Sequence, residues 1–301
     1  MPLFTPCYIE TYKAGLLEER IRQAQLYMES CCLCPRYCRV NRLQGEHGFC
    51  RTGQEIRVSG ITPHFGEESP ISGIRGSGTI FFVMCNLGCV FCQNYDISHL
   101  GGGNILSAEE LADAMLLLQA KGCHNINFVT PTHVIAGILK ALTFAVKKGL
   151  RIPLVWNCGG YESPEALALL DGIIDIYMPD FKFWHEEKAL RYCYAAGYPQ
   201  AARNAVKEMH RQTGDLKTDA RGIAYRGILI RHLVMPDNAA GTEELVRWLS
   251  SELSPDTYIN IMDQYRPCFK ASQFPEINRK ITAKEYADAV EWGKQSGLRI
   301  D

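Results

Sequence analysis

The feature that most constrains the fold is a repeated alternation of short apolar runs with amphipathic helical segments. The six apolar runs are 79–84, 126–129, 153–157, 173–178, 227–235 and 257–262. Helical periodicity follows each run after intervening turn residues, as in Leu111, Met115 and Leu118. Strands that are apolar throughout are typical of a parallel sheet covered by helices. The pattern by itself predicts an α/β fold and leaves open a partial barrel or a doubly wound sheet.

The first 70 residues lie outside this repeat. They contain one amphipathic helix, with Leu17, Ile21, Ala24 and Met28 on its apolar face, and a cluster of cysteines. We therefore expect two units, an N-terminal metal-binding module at 1–70 and an α/β unit at 71–301.

Composition narrows the classes of protein to consider. The formal net charge is −1, which gives no general attraction to nucleic acid or to an anionic membrane. The longest apolar segments are short, and one of them is broken by Lys140, so we expect no membrane span. The start of the chain shows no secretory signal, and 13 cysteines without one predict reduced thiols that hold metal. We expect a cytoplasmic protein.

Three cysteines lie close together in the stretch "CNLGCVFCQN". Cys85, Cys89 and Cys92 follow directly after the first apolar run, where α/β proteins build their sites. Their spacing lets three thiolates from one loop converge on a soft metal centre. A closed zinc or electron-transfer site takes four ligands, so three leave one position open for a substrate. The alternative is a structural zinc site with a fourth ligand such as His99.

A second group of cysteines lies in the N-terminal module. Its four members, with Cys32 as a spare, are Cys31, Cys34, Cys38 and Cys50. Four thiolates complete the coordination of a metal, which predicts a structural or electron-transferring centre. The spacing does not choose between zinc and a second [4Fe–4S] cluster, and four reduced cysteines without metal are the remaining alternative.

Polar residues stand at the ends of the predicted strands, where barrels place their function. These are Asn127 with Thr130, Asn157 with Gly159 and Gly160, Asp180 with Lys182, His232, and Gln264. Each also has an ordinary interpretation: a surface ion pair, a satisfied core histidine or a tight turn. No G-x-G-x-x-G or P-loop motif is present, so the sequence does not indicate binding of a nucleotide phosphate.

The Cys-x3-Cys-x2-Cys motif, with a strand before it and an aromatic residue before its last cysteine, resembles that of the radical S-adenosylmethionine (SAM) superfamily. The longer stretch "GSGTIFFVMCNLGCVFCQNYDIS" resembles the activating enzymes of glycyl-radical proteins. Further segments resemble the pyruvate formate-lyase-activating-enzyme homologues called the PflX-like group: "CLCPRYCRVNRLQGEHGFC", "NINFVTPTH", "VWNCGGY", "DIYMPDFKFW" and "IRHLVMP". The resemblance covers nearly the whole chain and implies a partial (β/α)6 TIM-type barrel with an N-terminal cysteine-rich extension.

The resemblance also implies a chemistry. Cys85, Cys89 and Cys92 would hold a [4Fe–4S] cluster whose open iron takes the amino and carboxylate groups of SAM. One electron would then split SAM into methionine and a 5′-deoxyadenosyl radical, which abstracts hydrogen from a substrate. Flavodoxin or ferredoxin would supply the electron.

Further site residues follow from the same resemblance. Phe91 would pack on the adenine, Asp180 and Lys182 would contact the ribose and the methionyl group, and His232 would reach SAM. From their position at a strand end, we also expect Asn157 and Gly159 at the cofactor.

The substrate implied is a protein or peptide, as in glycyl-radical activation. The well-known small activases lack the N-terminal cysteines, so this module bears on what enters the barrel. A second [4Fe–4S] cluster there is slightly favoured over zinc, because the protein already receives that cofactor. Two alternatives stay open: a non-catalytic zinc or iron–sulfur binding protein, and a radical SAM enzyme with a small-molecule substrate.

The remaining cysteines are single. Cys7, Cys123, Cys158, Cys193 and Cys268 are expected to be small core residues for the most part. Cys158 and Cys268 lie near strand ends, where either could face the cavity and donate a hydrogen atom.

Overall fold

The computed structural model describes residues 4–301, which form alternating helices and strands. The helices are α1 (Cys7–Lys13), α2 (Leu16–Glu29), α3 (Ser69–Ser72), α4 (Ala108–Ala120), α5 (Ile135–Lys147), α6 (Pro164–Leu170), α7 (Glu186–Cys193), α8 (Tyr198–Thr213), α9 (Thr242–Glu252) and α10 (Ala283–Gln295). The strands are β1 (Ile56–His64), β2 (Ser77–Phe82), β3 (Asn104–Leu106), β4 (Ile126–Val129), β5 (Leu154–Cys158), β6 (Ile176–Pro179), β7 (Lys217–Thr218), β8 (Ala224–Leu233), β9 (Tyr258–Met262) and β10 (Arg299–Ile300).

One sheet forms the centre of the molecule. Its strand order is β10-β9-β8-β6-β5-β4-β2-β1-β3, with β7 paired to β8. The six predicted strands correspond to β2, β4, β5, β6, β8 and β9, and each pairs in parallel with the next. The end strands β3 and β10 do not pair with each other, so the sheet stays open. The prediction of a partial barrel is confirmed.

The strand pattern places apolar side chains on both faces of the sheet. Alternate residues such as Trp156 and Tyr177 point outward and belong to the core between the sheet and its helices. Their neighbours Val155, Ile176 and Met178 point inward and form a second core. Because the strands are buried on both faces, they carry no polar alternation.

The short helix α3 fills one end of the barrel. Its Ile71 has no exposed surface and packs in the inner core with the inward residues of β5, β6 and β8. Its segment follows β1, so the chain enters the barrel before the first parallel strand begins. The inner core therefore leaves the carboxyl ends of the strands as the end where a site can form.

Two helices begin at capping boxes formed by residues with the typical spacing of three. At Ser107 the side chain accepts the Glu110 N–H while the Glu110 carboxylate accepts the Ser107 N–H, and Thr282 and Glu285 make the same pair of bonds. Gly197 lies between two further helices, since α7 ends at Cys193 and α8 begins at Tyr198. Local chemistry thus sets these helix ends.

Some boundaries differ from the prediction. β1 was missed, because Pro63, Gly60 and several polar residues weaken its strand pattern. It lies within the N-terminal 70 residues and joins the sheet antiparallel to β2. The run 173–178 gives a strand only from Ile176, because Ile173 and Ile174 form a turn whose N–H groups bind the Leu170 carbonyl.

The N-terminal helices pack on the barrel. α2 contacts α5 and α6, and the buried Arg42 donates to the carbonyls of Thr52, Gly53 and His133. The bond to His133 ties the N-terminal segment to the loop that follows β4. None of the helices within residues 4–301 combines the length and apolar character needed to cross a bilayer.

Gly227 in β8 gives a stability prediction. Its φ is +121°, and a Cβ there would lie 2.4 Å from the Asp215 carbonyl oxygen and 2.5 Å from Leu216 Cα. Because backbone atoms on a neighbouring segment cannot move aside, we expect Gly227→Ala to lower the free energy of unfolding by about 3 kcal/mol. Urea denaturation measures the effect.

Gly222 supplies the control for this prediction. It also has positive φ, at +80°, but a Cβ there would meet nothing within 4 Å. Gly222→Ala should therefore lower the free energy of unfolding only by the cost of a positive φ at alanine, about 1 kcal/mol. Equal losses in the two variants would mean that the contact with Asp215 is unimportant.

Candidate active site

The three cysteines of the motif lie in the loop after β2. Met84, at the start of this loop, has φ of +72°, and its N–H donates to the Ile97 carbonyl. That bond turns the chain away from the strand, so the loop folds over the carboxyl ends of the sheet. Cys89 is buried, and Cys85 and Cys92 are half-buried.

The end of α7 braces this loop. The N–H groups of Gly88 and Val90 donate to the carbonyls of Cys193 and Tyr192, at 2.9 and 2.8 Å. Tyr194 ends the helix in the left-handed conformation, with φ of +51°, and its ring packs on Gly88. A Cβ at Gly88 would lie 2.9 Å from that ring, so the glycine allows the close approach.

Each of the three sulfurs has at least one hydrogen-bonding neighbour. Cys85 Sγ accepts the Leu87 N–H at 3.3 Å, and Cys92 Sγ lies 3.1 Å from Ser98 Oγ. Cys89 Sγ lies 3.1 Å from Cys193 Sγ. Burial raises the pKa of Cys85 to about 12, so its thiol is protonated until a metal replaces the proton.

A half-buried ion pair lies beside the cysteines. Lys182 Nζ donates to Asp180 Oδ2 at 2.7 Å, and both residues follow β6. Burial opposes the charge on Lys182, but Asp180 and the Cys89 thiol outweigh it, and the pKa of Lys182 is raised. The sequence predicted these two residues for the site, and the structure brings them to the cysteine loop.

Arg231 holds the other oxygen of Asp180, and sequence reasoning did not single it out. Arg231 Nε donates to Asp180 Oδ1 at 2.7 Å. Burial acts to raise the pKa of Asp180, but Arg231 and Lys182 outweigh it and the pKa is lowered. Arg231 also donates to Asn157 Oδ1 at 2.8 Å and to Glu67 at 3.2 Å. Asn157 therefore belongs to this network.

Glu67 and Glu68 bring two more carboxyl groups into the barrel. Their side chains are 8% and 4% exposed, and Arg231 lies 3.2 and 3.8 Å from them. Burial raises the pKa of Glu67 to about 7, against the lowering effect of Arg231. Asp180, Glu67 and Glu68 are thus three acidic groups in a largely buried space. The two cations there are Lys182 and Arg231.

A cavity of about 230 Å³ lies between the cysteine loop and the ends of β6, β8 and β9. Its polar lining includes Cys89, Cys92, Asp180, Lys182, Arg231 and Gln264. Phe91 forms an apolar wall, with its ring centre 5.9 Å from Phe183 and 6.1 Å from Tyr265. Gly159 lies under the loop, because a Cβ there would lie 2.6 Å from Leu87 Cδ1.

His232 is not brought to this cavity, contrary to the prediction. It points away from the barrel interior and has no exposed surface. Its Nδ1 bonds the Phe181 carbonyl at 2.7 Å and its Nε2 bonds Thr242 Oγ1 at 2.8 Å. With both ring nitrogens occupied, His232 links β8 to α9, and its neighbour Arg231 faces the cavity instead.

The other predicted residues have plain surroundings. The ring of His99, considered as a zinc ligand, stacks on Phe269 at 4.6 Å. Cys158 is buried in the outer core beside Glu162, and Cys268 does not line the cavity. Cys193, expected to be a simple core residue, lies against Cys89. No sequence pattern indicates this contact, because 104 residues separate the two cysteines.

The N-terminal cysteines lie next to this loop. Burial raises the pKa of Cys34 to about 12, and Cys50, Cys31 and Cys38 are near enough to add to the effect. Within residues 4–301, no three His, Cys, Asp or Glu side chains close around a single ion. An iron–sulfur cubane binds each thiolate at a different iron, so its ligands are spread around the cluster.

Arg36 connects the two groups of cysteines. Its Nε donates to the Asn86 carbonyl at 2.6 Å, and its guanidinium lies 3.3 Å from the centre of the Phe49 ring. A Cβ at Gly88 would lie 3.0 Å from Phe49 Cζ. Phe49, which precedes Cys50, therefore lies against Gly88, which precedes Cys89.

Comparison with known proteins assigns the family. The model of the radical SAM superfamily matches residues 79–249, more than half of the chain. The chain belongs to the radical SAM superfamily. The matched region contains the three loop cysteines, the Asp180–Lys182 pair and Arg231, while the N-terminal cysteines lie outside it.

Two similar proteins extend this result. An uncharacterized protein of Methanocaldococcus jannaschii is 34% identical over 302 residues, covering 97% of this chain and 82% of the relative. The fold is similar to that of Streptococcus suis SuiB bound to S-adenosylmethionine, with a TM-score of 0.52 and 11% identity. That match covers 73% of this chain and 48% of SuiB, so this radical SAM chain aligns with about half of SuiB.

Membership of the radical SAM superfamily implies a [4Fe–4S] cluster and SAM. The residues present fit such a group. Cys85, Cys89 and Cys92 supply three thiols from one loop, each with a hydrogen-bonding neighbour, and Lys182 supplies a half-buried cation beside them. Thiols are the ligands that iron–sulfur clusters take, and a nearby cation favours their deprotonated form.

Proposed function

We propose that this chain uses a [4Fe–4S] cluster on Cys85, Cys89 and Cys92 to split SAM and abstract hydrogen from a protein or peptide. When bound, the cluster and SAM supply a one-electron cleavage to methionine and a 5′-deoxyadenosyl radical. The observation that carries the proposal is one cavity that both the cysteine loop and the half-buried Asp180–Lys182 pair line.

The chain's own residues bind and orient in this proposal. Lys182 receives the carboxylate of the methionyl group, since its half-buried ammonium has a raised pKa and stays charged. Asp180, fixed by Lys182 and Arg231, accepts from the ribose hydroxyls with its remaining lone pairs. Phe91 gives the adenine an apolar surface, and Gly159 leaves space beneath the loop.

The N-terminal module is proposed to hold a second centre on Cys31, Cys34, Cys38 and Cys50. The grouping of the other three thiols around the half-buried Cys34 supports metal binding there. We favour iron–sulfur over zinc, and a flavodoxin or ferredoxin as the electron donor. Iron, sulfide and zinc analysis of the purified chain decides between the two metals.

The central experiment uses the full chain reconstituted anaerobically with iron and sulfide. With dithionite and SAM we expect absorbance near 400 nm and release of 5′-deoxyadenosine, measured by liquid chromatography and mass spectrometry. A chain that holds its full iron and is reduced, yet releases none, contradicts the proposal. Zinc without iron would favour a non-catalytic metal protein.

The class of substrate has its own test. An extract of cells grown in deuterated medium is divided by size, and each fraction is added to the reconstituted enzyme. Deuterium should enter 5′-deoxyadenosine from the macromolecular fraction. Transfer only from the small-molecule fraction would contradict the protein or peptide substrate while leaving the SAM chemistry in place.

A further inference from the structure

Cys193 is held against the cysteine loop by more than its own side chain. It is the last residue of α7, and its carbonyl accepts the Gly88 N–H at 2.9 Å. The neighbouring carbonyl of Tyr192 accepts the Val90 N–H at 2.8 Å. These two bonds flank Cys89, so the backbone fixes the position of Cys193 relative to it.

The Cys193 thiol is placed to donate to Cys89. The two sulfurs are 3.1 Å apart, and Cys193 has no exposed surface, so water cannot compete for the contact. Cys85 and Cys92 have their neighbours nearby in the chain, at Leu87 and Ser98. Cys89 instead has its neighbour outside the loop, at the end of α7, so each of the three sulfurs has at least one hydrogen-bonding partner.

We propose that Cys193 is a positioning residue that donates its S–H to the sulfur of Cys89 and raises the reduction potential of the centre that Cys89 helps to hold. This inference rests on the proposed function, because it assumes that Cys89 binds iron. Hydrogen bonds to cluster sulfurs stabilise the additional electron and so tune the potential. The proton stays on Cys193, and no covalent bond forms or breaks.

The test is a redox titration of the reconstituted full chain, followed by electron paramagnetic resonance, on wild type, Cys193→Ala and Cys193→Ser. At a fixed solution potential we expect the ratio of reduced to oxidised cluster to fall about tenfold in Cys193→Ala. This corresponds to a decrease in reduction potential of about 59 mV for one electron. Cys193→Ser keeps a donor and should restore most of the ratio.

Equal potentials in wild type and Cys193→Ala would overturn the inference. Loss of the cluster from Cys193→Ala and Cys193→Ser alike, with both still folded by circular dichroism, would overturn it too, because Cys193 would then be a fourth ligand. If Cys193→Ala does not fold, Cys193→Thr and Cys193→Val form a pair of equal size that differ in one hydroxyl donor. The Thr variant should have the higher potential, and equality overturns the inference.

These outcomes are separate from those of the proposed function. A wild-type chain that holds a reducible cluster but releases no 5′-deoxyadenosine contradicts the proposed function. The difference in potential between wild type and Cys193→Ala would still be measurable in that chain. Conversely, normal cleavage of SAM with unchanged potentials contradicts the role of Cys193 alone.

Discussion

Replacing any one of Cys85, Cys89 and Cys92 by alanine is expected to reduce release of 5′-deoxyadenosine by at least about 10⁴-fold. Groups that act as one unit fail together when a single member is removed, so the three variants should be equally inactive. Each should also bind about four fewer irons per chain than wild type, since one incomplete set of thiolates does not retain the cluster. Iron analysis and the chromatographic assay measure both effects.

Cys123→Ala is the matched control for these three variants. Cys123 is also buried and free, but it precedes β4 and lies at the opposite end of the strands from the cysteine loop. Its replacement should leave iron content and 5′-deoxyadenosine release near wild type. Activity retained in any of the three loop variants, with full iron, would exclude the assigned ligand set.

Arg231→Met is expected to lower the free energy of unfolding by about 3–5 kcal/mol at pH 8. Arg231 is the shared partner of Asp180, Glu67 and Glu68, and methionine fills similar volume without the charge. Removing one member of a buried ion cluster leaves the others uncompensated, which costs far more than an exposed pair. Urea denaturation of wild type and variant gives the difference.

The loss in Arg231→Met should depend on pH. Burial raises the pKa of Glu67 to about 7, so the folded chain binds more protons than the unfolded chain between the ordinary glutamate pKa and 7. Stability from Glu67 therefore falls as the pH rises through that window. Without Arg231 the pKa of Glu67 is no longer lowered, so stability falls further as the pH rises. The free energies of unfolding of variant and wild type should therefore differ less at pH 6 than at pH 8.

Arg211→Met provides the comparison for Arg231. Arg211 also pairs with two carboxylates, Asp171 and Glu208, but its side chain is 58% exposed. Water and salt screen such pairs, so its loss should change stability by no more than about 1 kcal/mol, with little dependence on pH. Similar losses of stability in Arg231→Met and Arg211→Met would show that burial does not increase the contribution of the Arg231 ion pairs to stability.

Much of the fold could be predicted because local chemistry decides it. The apolar runs predict the six parallel strands, and the capping box of Ser107 and Glu110 shows the same local control at the start of α4. β1 was missed because an antiparallel strand at the sheet margin needs no apolar run, and Gly60 and Pro63 hide its pattern.

The site was harder to predict where the answer depends on which way a strand faces. β8 is buried on both faces, so its sequence does not distinguish the inward Arg231 from the outward His232. A shift of one residue exchanges the two faces. The contact of Cys193 with Cys89 was invisible for a different reason: it joins α7 to a loop 104 residues earlier, and only the folded chain sets that distance.

The bridge made by Arg36 has a consequence for how the protein matures. Arg36 and Phe49 of the N-terminal segment contact Asn86 and Gly88 of the cysteine loop. A ligand that orders one of these two segments therefore also helps to order the other. Coupling of this kind is reciprocal, so a ligand taken up by either loop strengthens uptake by its neighbour to the same degree. In the wild-type chain, a ligand bound at one loop should therefore make binding at the other loop more favourable.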